Sequence, residues 1–180
     1  MDGIIISTVV AQDSHIEFLI DEKISFVCIN RIPLIPSLKK KAEYIIMDNY
    51  SAGYKGIEHL WRLGHDRIAI ITGALNASNA IASLEGSKAA LKRFGIKIPK
   101  SYIKEGKSSQ RKAFLVCERL MKSKNPPTAV FAHDDNMALG AREAILNLGL
   151  KIPKDKKTKE PFSEKQGRNA SAGLKPLAQT

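Results

Sequence analysis

With 180 residues, 43% of them hydrophobic and 26% charged, the chain has the proportions of one globular domain, long enough to bury roughly 70% of its unfolded surface. Two cysteines are too few for a disulfide framework, no apolar run reaches membrane length, and MDGIII lacks a signal peptide's basic leader, so a reduced, cytoplasmic protein off the membrane is expected. Of the net charge of +11, residues 1–150 contribute 21 basic against 15 acidic groups and residues 151–180 contribute 8 against 3, so nearly half the excess marks off the last stretch as a tail.

Short β-rich apolar runs alternate with stretches of helical spacing along residues 1–150. The runs fall at residues 3–7, 24–30, 44–47, 67–72, 101–104 and 128–132. Several are apolar at consecutive positions, as in Ile4-Ile5-Ile6 and Ile68-Ala69-Ile70-Ile71, which predicts parallel strands covered on both faces. Between them, apolar residues recur three and four apart: Ile57, Leu60 and Trp61; Ile81, Leu84, Leu91 and Phe94; Val116, Cys117, Leu120 and Met121; Met137, Ala141, Ala144, Ile145 and Leu148. Gly64, Gly95 and Gly149 stand where a left-handed cap ends a helix, and Asn125-Pro126-Pro127 stops another. Strand, helix, strand, helix predicts an α/β domain with a parallel sheet. Charge runs such as Lys39-Lys40-Lys41 read as solvated loops, and Cys28 and Cys117, set among apolar neighbours, read as buried thiols.

GIKIPK at 95–100 and GLKIPK at 149–154 echo each other after a helix. A strand follows the first copy, whereas no run of three apolar residues follows the second. The expected division is therefore a structured part over 1–155 and a basic, disordered tail over 156–180, in which few apolar groups offset the entropy of ordering. The abrupt opening and the broken rhythm at the tail together predict a domain cut at both ends, with a shifted reading frame as one origin of the tail.

No HExxH, GxSxG, GxxxxGK[ST] or CxxC motif is present. Gly73 opens a loop, GALNASNA, where a dinucleotide fold would place its phosphate turn, but the later glycines are missing, so no nucleotide cofactor is expected. The histidines lack metal-ligand spacing, and His65, after a helix-ending Gly64, reads as structural. His133 ends a strand and precedes Asp134 and Asp135, at the sheet edge where open α/β folds bind ligands, although an aspartate there also caps the next helix. The same edge gathers Ser7, Thr8, Asn30, Arg31, Asp48, Asn49, Asn76, Ser78, Asn79 and Ser83. Individually these residues suit turns; together they suit a polar, hydroxylated ligand.

The order DGIII, ISFVCINR, DNYSAGYKGIEHLWRLGHDRIAIITG and PPTAVFAHDDNMALGAREAILNLGLKIPKD resembles the effector-binding domain of LacI/GalR-type transcriptional regulators over about residues 1–155. The resemblance implies a two-lobed, periplasmic-binding-protein-like fold, here mostly the carboxyl-terminal lobe plus part of the other. It implies no catalysis and no cofactor. A sugar or small metabolite would bind between the lobes and alter a dimer's hold on operator DNA, through a helix-turn-helix absent from this chain. Residue by residue, Asn30 matches the family's strand-end Asp or Asn, Asn79 a polar effector contact, and Asp134 the first residue of an Asn-Asp pair. Ser83 stands where the family usually has an effector-gripping arginine, and Ser108 where an aromatic ring often stacks on a sugar. Losing both groups predicts weaker binding.

The competing reading is a fragment of a bilobal sugar-binding transport protein, against which stand the missing export signal and the regulator-type MALGA and LGH segments. Direct DNA binding by the basic surface would be sequence-independent and lost in salt.

Overall fold

A computed structural model describes residues 3–7, 9 and 14–152; Thr8 and the tail over 156–180 lie outside the described residues. Six parallel strands appear, each at or within a few residues of its expected run: β1 (Ile4–Ile6), β2 (Phe26–Ile29), β3 (Glu43–Ile45), β4 (Ile68–Thr72), β5 (Ile103–Glu105) and β6 (Ala129–Ala132). They form two sheets, in the orders β1-β2-β3 and β5-β4-β6. The helices are α1 (Ser14–Asp21), α2 (Pro36–Lys41), α3 (Asn49–Arg62), α4 (Ser78–Arg93), α5 (Gln110–Met121) and α6 (Asp135–Asn147).

The second sheet fulfils the expectation of burial on both faces. All five residues of β4 are buried. Ile68 and Ile70 join Phe131 beneath α3 and α4, packing on Ile57, Leu60, Leu84 and Leu91. Ala69 and Ile71 point the other way, with Val130 and Ala132, onto Cys117, Leu120, Met137 and Ile145 of α5 and α6. Alternate side chains of one strand thus feed two cores, which is why the run has to be apolar throughout. Within the first core, the backbones of α3 and α4 touch: a Cβ on Gly53 would overlap the carbonyl oxygen of Ser83, and one on Gly86 that of Tyr50.

The first sheet departs from the expectation. Ile6, Phe26 and Cys28 pack with Ile16 of α1 and Leu38 of α2, but none of the described residues covers the opposite face, with Ile5 71% and Ile45 66% exposed. Consecutive apolar residues therefore mean two covered faces in β4 and only one in β1, while all three residues of β3 are exposed.

Two further expectations are corrected. Lys39, Lys40 and Lys41 are not a loop but the last turn of α2, which starts on Pro36 and is anchored by buried Leu38. Proline suits a first helical position, and cations suit the carbonyl end of a helix. The strand expected at 101–104 begins later, because Lys100–Tyr102 form a 3₁₀ turn that buries the Tyr102 ring. The three capping glycines behave as expected, at φ of +87° for Gly64, +67° for Gly95 and +71° for Gly149. Cys28 and Cys117 are buried, and burial pushes the Cys117 thiol up to about 12.

Candidate effector site at the strand ends

Parallel strands with helical returns leave their carboxyl ends, and the helix amino termini that follow, along one edge. In the second sheet this edge holds the turns after β4, β5 and β6. Gly106 N–H donates to the Thr72 carbonyl at 2.8 Å, and His133 N–H to that of Ile71 at 3.1 Å, so the three turns are stitched together. Gly73 lets the first turn of α4 come close: a Cβ there would sit 3.1 Å from Ala80 Cβ and 4.0 Å from Ser108 Oγ. Lys107 and Ser108 are both left-handed, at φ of +54° and +55°. Two successive non-glycine residues in that region store about 1 kcal/mol or more each, a strain found typically at functional edges.

The first sheet reaches the same region through the turn after β2. Asn30 is left-handed at φ +66°, a conformation asparagine tolerates, and its N–H donates to the Ile45 carbonyl at 2.7 Å. Two residues on, Ile32 N–H donates to Ser78 Oγ at 2.8 Å. This bond fixes the Asn30-Arg31 turn against the first residue of α4.

Of the five residues singled out by the resemblance, four lie at this edge and Ser83 lies more than a turn into α4, in different states. Asp134 caps α6, accepting from Met137 N–H at 2.8 Å with one carboxylate oxygen. Asn79 Oδ1 accepts from its neighbour's N–H on Ala80 at 2.9 Å, leaving the amide NH₂ to donate elsewhere. Ser83 is buried at the α3–α4 contact, 8% exposed. Ser108 occupies the strained turn beside Gly73. Asn30 Oδ1 is shielded from solvent with no hydrogen-bond partner among the described residues.

That last feature is shared by Arg31 Nε and by both ring nitrogens of His133. These two residues belong to the polar edge in the sequence but not to the five family positions; the signal that marks them is unspent hydrogen-bonding capacity, which appears only on folding. Burial holds the His133 imidazole down to about 4 against the opposing pull of the Asp134 charge. Asp48, exposed at the start of α3, caps it by accepting from Ser51 N–H at 2.9 Å, and hydrogen bonding from the Ser51 side chain first, then from this N–H, lowers its pKa. His65 follows the capping Gly64, and its Nδ1 lies 3.1 Å from Thr128 Oγ1.

Two solvent-open depressions, of about 560 and 370 Å³, lie away from this edge, one beside α2 and β3, the other around Trp61 and Phe94. Neither is lined by a strand-end residue of the second sheet, so they have no part in this constellation. Among the described residues no group of three or more His, Cys, Asp or Glu could hold a metal ion, and no helix is long and apolar enough to cross a membrane.

Residues 1–166 match the family described as periplasmic binding proteins and sugar binding domain of LacI family. The chain belongs to this family. It is similar to the HTH-type transcriptional repressor CytR of Escherichia coli K12, at 36% identity over 109 residues, covering 61% of this chain and 32% of CytR. It is also similar to the probable HTH-type transcriptional repressor ExuR of Bacillus subtilis 168, at 34% identity over 156 residues, covering 86% of this chain and 45% of ExuR. Among solved structures, the transcriptional regulator CelR in complex with cellobiose superposes with a TM-score of 0.79 at 25% identity, over 85% of this chain and 46% of CelR. The chain thus spans less than half the length of these relatives and corresponds to the sensor portion of a LacI-type regulator.

Proposed function

We propose that the strand-end edge binds a sugar or similarly hydroxylated metabolite, and that in a longer protein this binding sets the affinity of a dimer for operator DNA. The carrying observation is that Asn30 Oδ1, Arg31 Nε and the His133 nitrogens, at the strand ends of the two sheets, are buried polar atoms without hydrogen-bond partners among the described residues. A buried polar group left unpaired costs about 1–3 kcal/mol, so four in one region favour a state in which something hydrogen-bonds them. CelR's complex with cellobiose, in a protein of the same fold, supports a carbohydrate. The Ile32–Ser78 bond supports coupling, since it joins the turn of one sheet to a helix of the other and any ligand-induced shift of one must move or break it.

A thermal-shift screen of the 180-residue chain with neutral mono- and disaccharides and nucleosides tests this reading. A ligand binding only the folded chain raises its stability as RT ln(1 + [L]/Kd). The expected result is a saturable rise with at least one compound, reduced in Asn30→Ala and Asn79→Ala. No rise across the screen would overturn it. For the intact regulator, the same compound is expected to change operator affinity, and sedimentation to report a dimer.

A further inference from the structure

Among the described residues, the fold gives the His133 imidazole no hydrogen bond. Its backbone N–H serves the sheet, but both ring nitrogens are shielded from solvent and neither has a partner among the described residues. A neutral imidazole carries one N–H donor and one lone-pair acceptor, and neither is cheap to leave unmatched in a dry place. Packing supplies no reason for histidine here. Its ring neighbour is Phe131, tilted by 57° at a centroid separation of 5.2 Å, a contact that an aliphatic side chain would make equally well.

The polar groups next to it in register and in sequence are already committed. Register pairs Ile71 with Ala132, which sets Thr72 beside His133, and the Thr72 hydroxyl donates to the Gly73 carbonyl at 2.9 Å. Asp134 is engaged at the cap of α6. We propose that His133 is an effector-contacting residue, hydrogen-bonding a hydroxyl group of an uncharged, polyhydroxylated ligand through its neutral imidazole. This rests on the effector reading above and adds to it the ligand's charge state and one contact.

A hydroxyl donates and accepts, so it satisfies either tautomer of the ring. Because burial holds the imidazole down to about 4, covering it with ligand desolvates no charge at neutral pH. A half-turn about χ2 exchanges Nδ1 with Cδ2 and Nε2 with Cε1 while the ring plane stays against Phe131. His χ2 has this two-fold freedom, so the nitrogens can turn to a ligand without repacking the edge.

The test titrates the ¹⁵N-labelled 180-residue chain with D-glucose, D-galactose, D-ribose and cellobiose in turn, following imidazole nitrogens and backbone amides, and repeats it with His133→Leu and His133→Asn. One sugar is expected to shift the His133 nitrogens saturably, to bind His133→Leu about tenfold more weakly, and to recover part of that loss in His133→Asn, which keeps a donor and an acceptor. His133→Leu is expected to melt at or above the parent temperature, since it removes unpaired polar atoms. A sugar that shifts the Asn30 and Asn79 amides, leaves the His133 nitrogens unmoved and binds His133→Leu normally overturns the role of His133 while the effector reading stands. Failure of all four sugars, and of every saccharide and nucleoside of the thermal-shift screen, to shift any strand-end signal removes both. A His133→Leu chain that melts several degrees lower shows a histidine satisfied within the fold, which also overturns the proposal.

Discussion

At the strand-end edge, a single imidazole carries a measurable linkage between protons and folding. His133 has its pKa lowered to about 4 by burial, whereas in the unfolded chain it titrates near the ordinary value of 6.5. Between these values the unfolded chain binds the proton and the folded chain does not. Nothing is therefore lost above about pH 6.5, the loss of stability grows as pH falls, and it is full below about pH 4. It amounts to at most roughly 3 kcal/mol, less whatever solvent at the edge screens. Urea midpoints of the parent and of His133→Leu, compared from pH 7.5 to pH 4 so that common carboxylate effects cancel, are expected to diverge in that window, with the parent losing more. The Cys117 thiol, pushed up to about 12 in the α5–α6 core, is expected to resist a thiol-directed reagent at pH 8 until the chain unfolds. The placing of Asn30 and Asp134 at the strand-end edge was legible because turn chemistry and family likeness both mark them. The orphaned state of Arg31 and His133 depends on what surrounds them in three dimensions, and no spacing in the sequence encodes it.

Where α3 meets α4, spacing between backbones decides which small residues can change. Alanine normally helps a helix by about 1 kcal/mol over glycine. At Gly86 the added methyl would overlap the Tyr50 carbonyl, a backbone atom that cannot swing aside. Gly86→Ala is therefore expected to destabilise by about 2 kcal/mol, the usual scale of overpacking, despite its better propensity. Gly95 has open space around it, with nothing within 4 Å of where a methyl would sit, but its φ is +67°. Its replacement by alanine is expected to cost only about 1 kcal/mol, from backbone strain alone. Chemical denaturation of the two variants separates steric contact from conformational strain. The four longer helices and strands such as β4 and β6 were legible from periodicity because each supplies several apolar positions to a core. Helices α1 and α2, with 8 and 6 residues, offer too few turns for a period to emerge, and the lysines of α2 obscured it further.

The two sheets differ in how completely they are clothed, and that difference governs how the 180-residue chain behaves alone. The second sheet is a finished three-layer unit, with helices on both faces and β4 buried throughout. The first has helices on one face only; Ile5 and Ile45 lie on the other, with Ile46 at 50% and Met47 at 68% exposure extending the apolar surface past the end of β3. In register, Ile5 pairs with Val27, and Ile29 with Ile45, so these side chains share one face instead of scattering over the surface. Contiguous apolar surface of this kind drives association, and the run Ile4-Ile5-Ile6 could not disclose it, since an uncovered strand and a fully covered one have the same composition. The chain is expected to bind a dye specific for exposed apolar surface while remaining folded, and to self-associate with rising concentration. Ile5→Lys with Ile45→Lys should suppress both. Because both positions are already more than half exposed, the double variant should melt within a few degrees of the parent. Dye fluorescence, sedimentation velocity and thermal melting on the same samples distinguish this from general loosening, in which dye binding and melting temperature would change together.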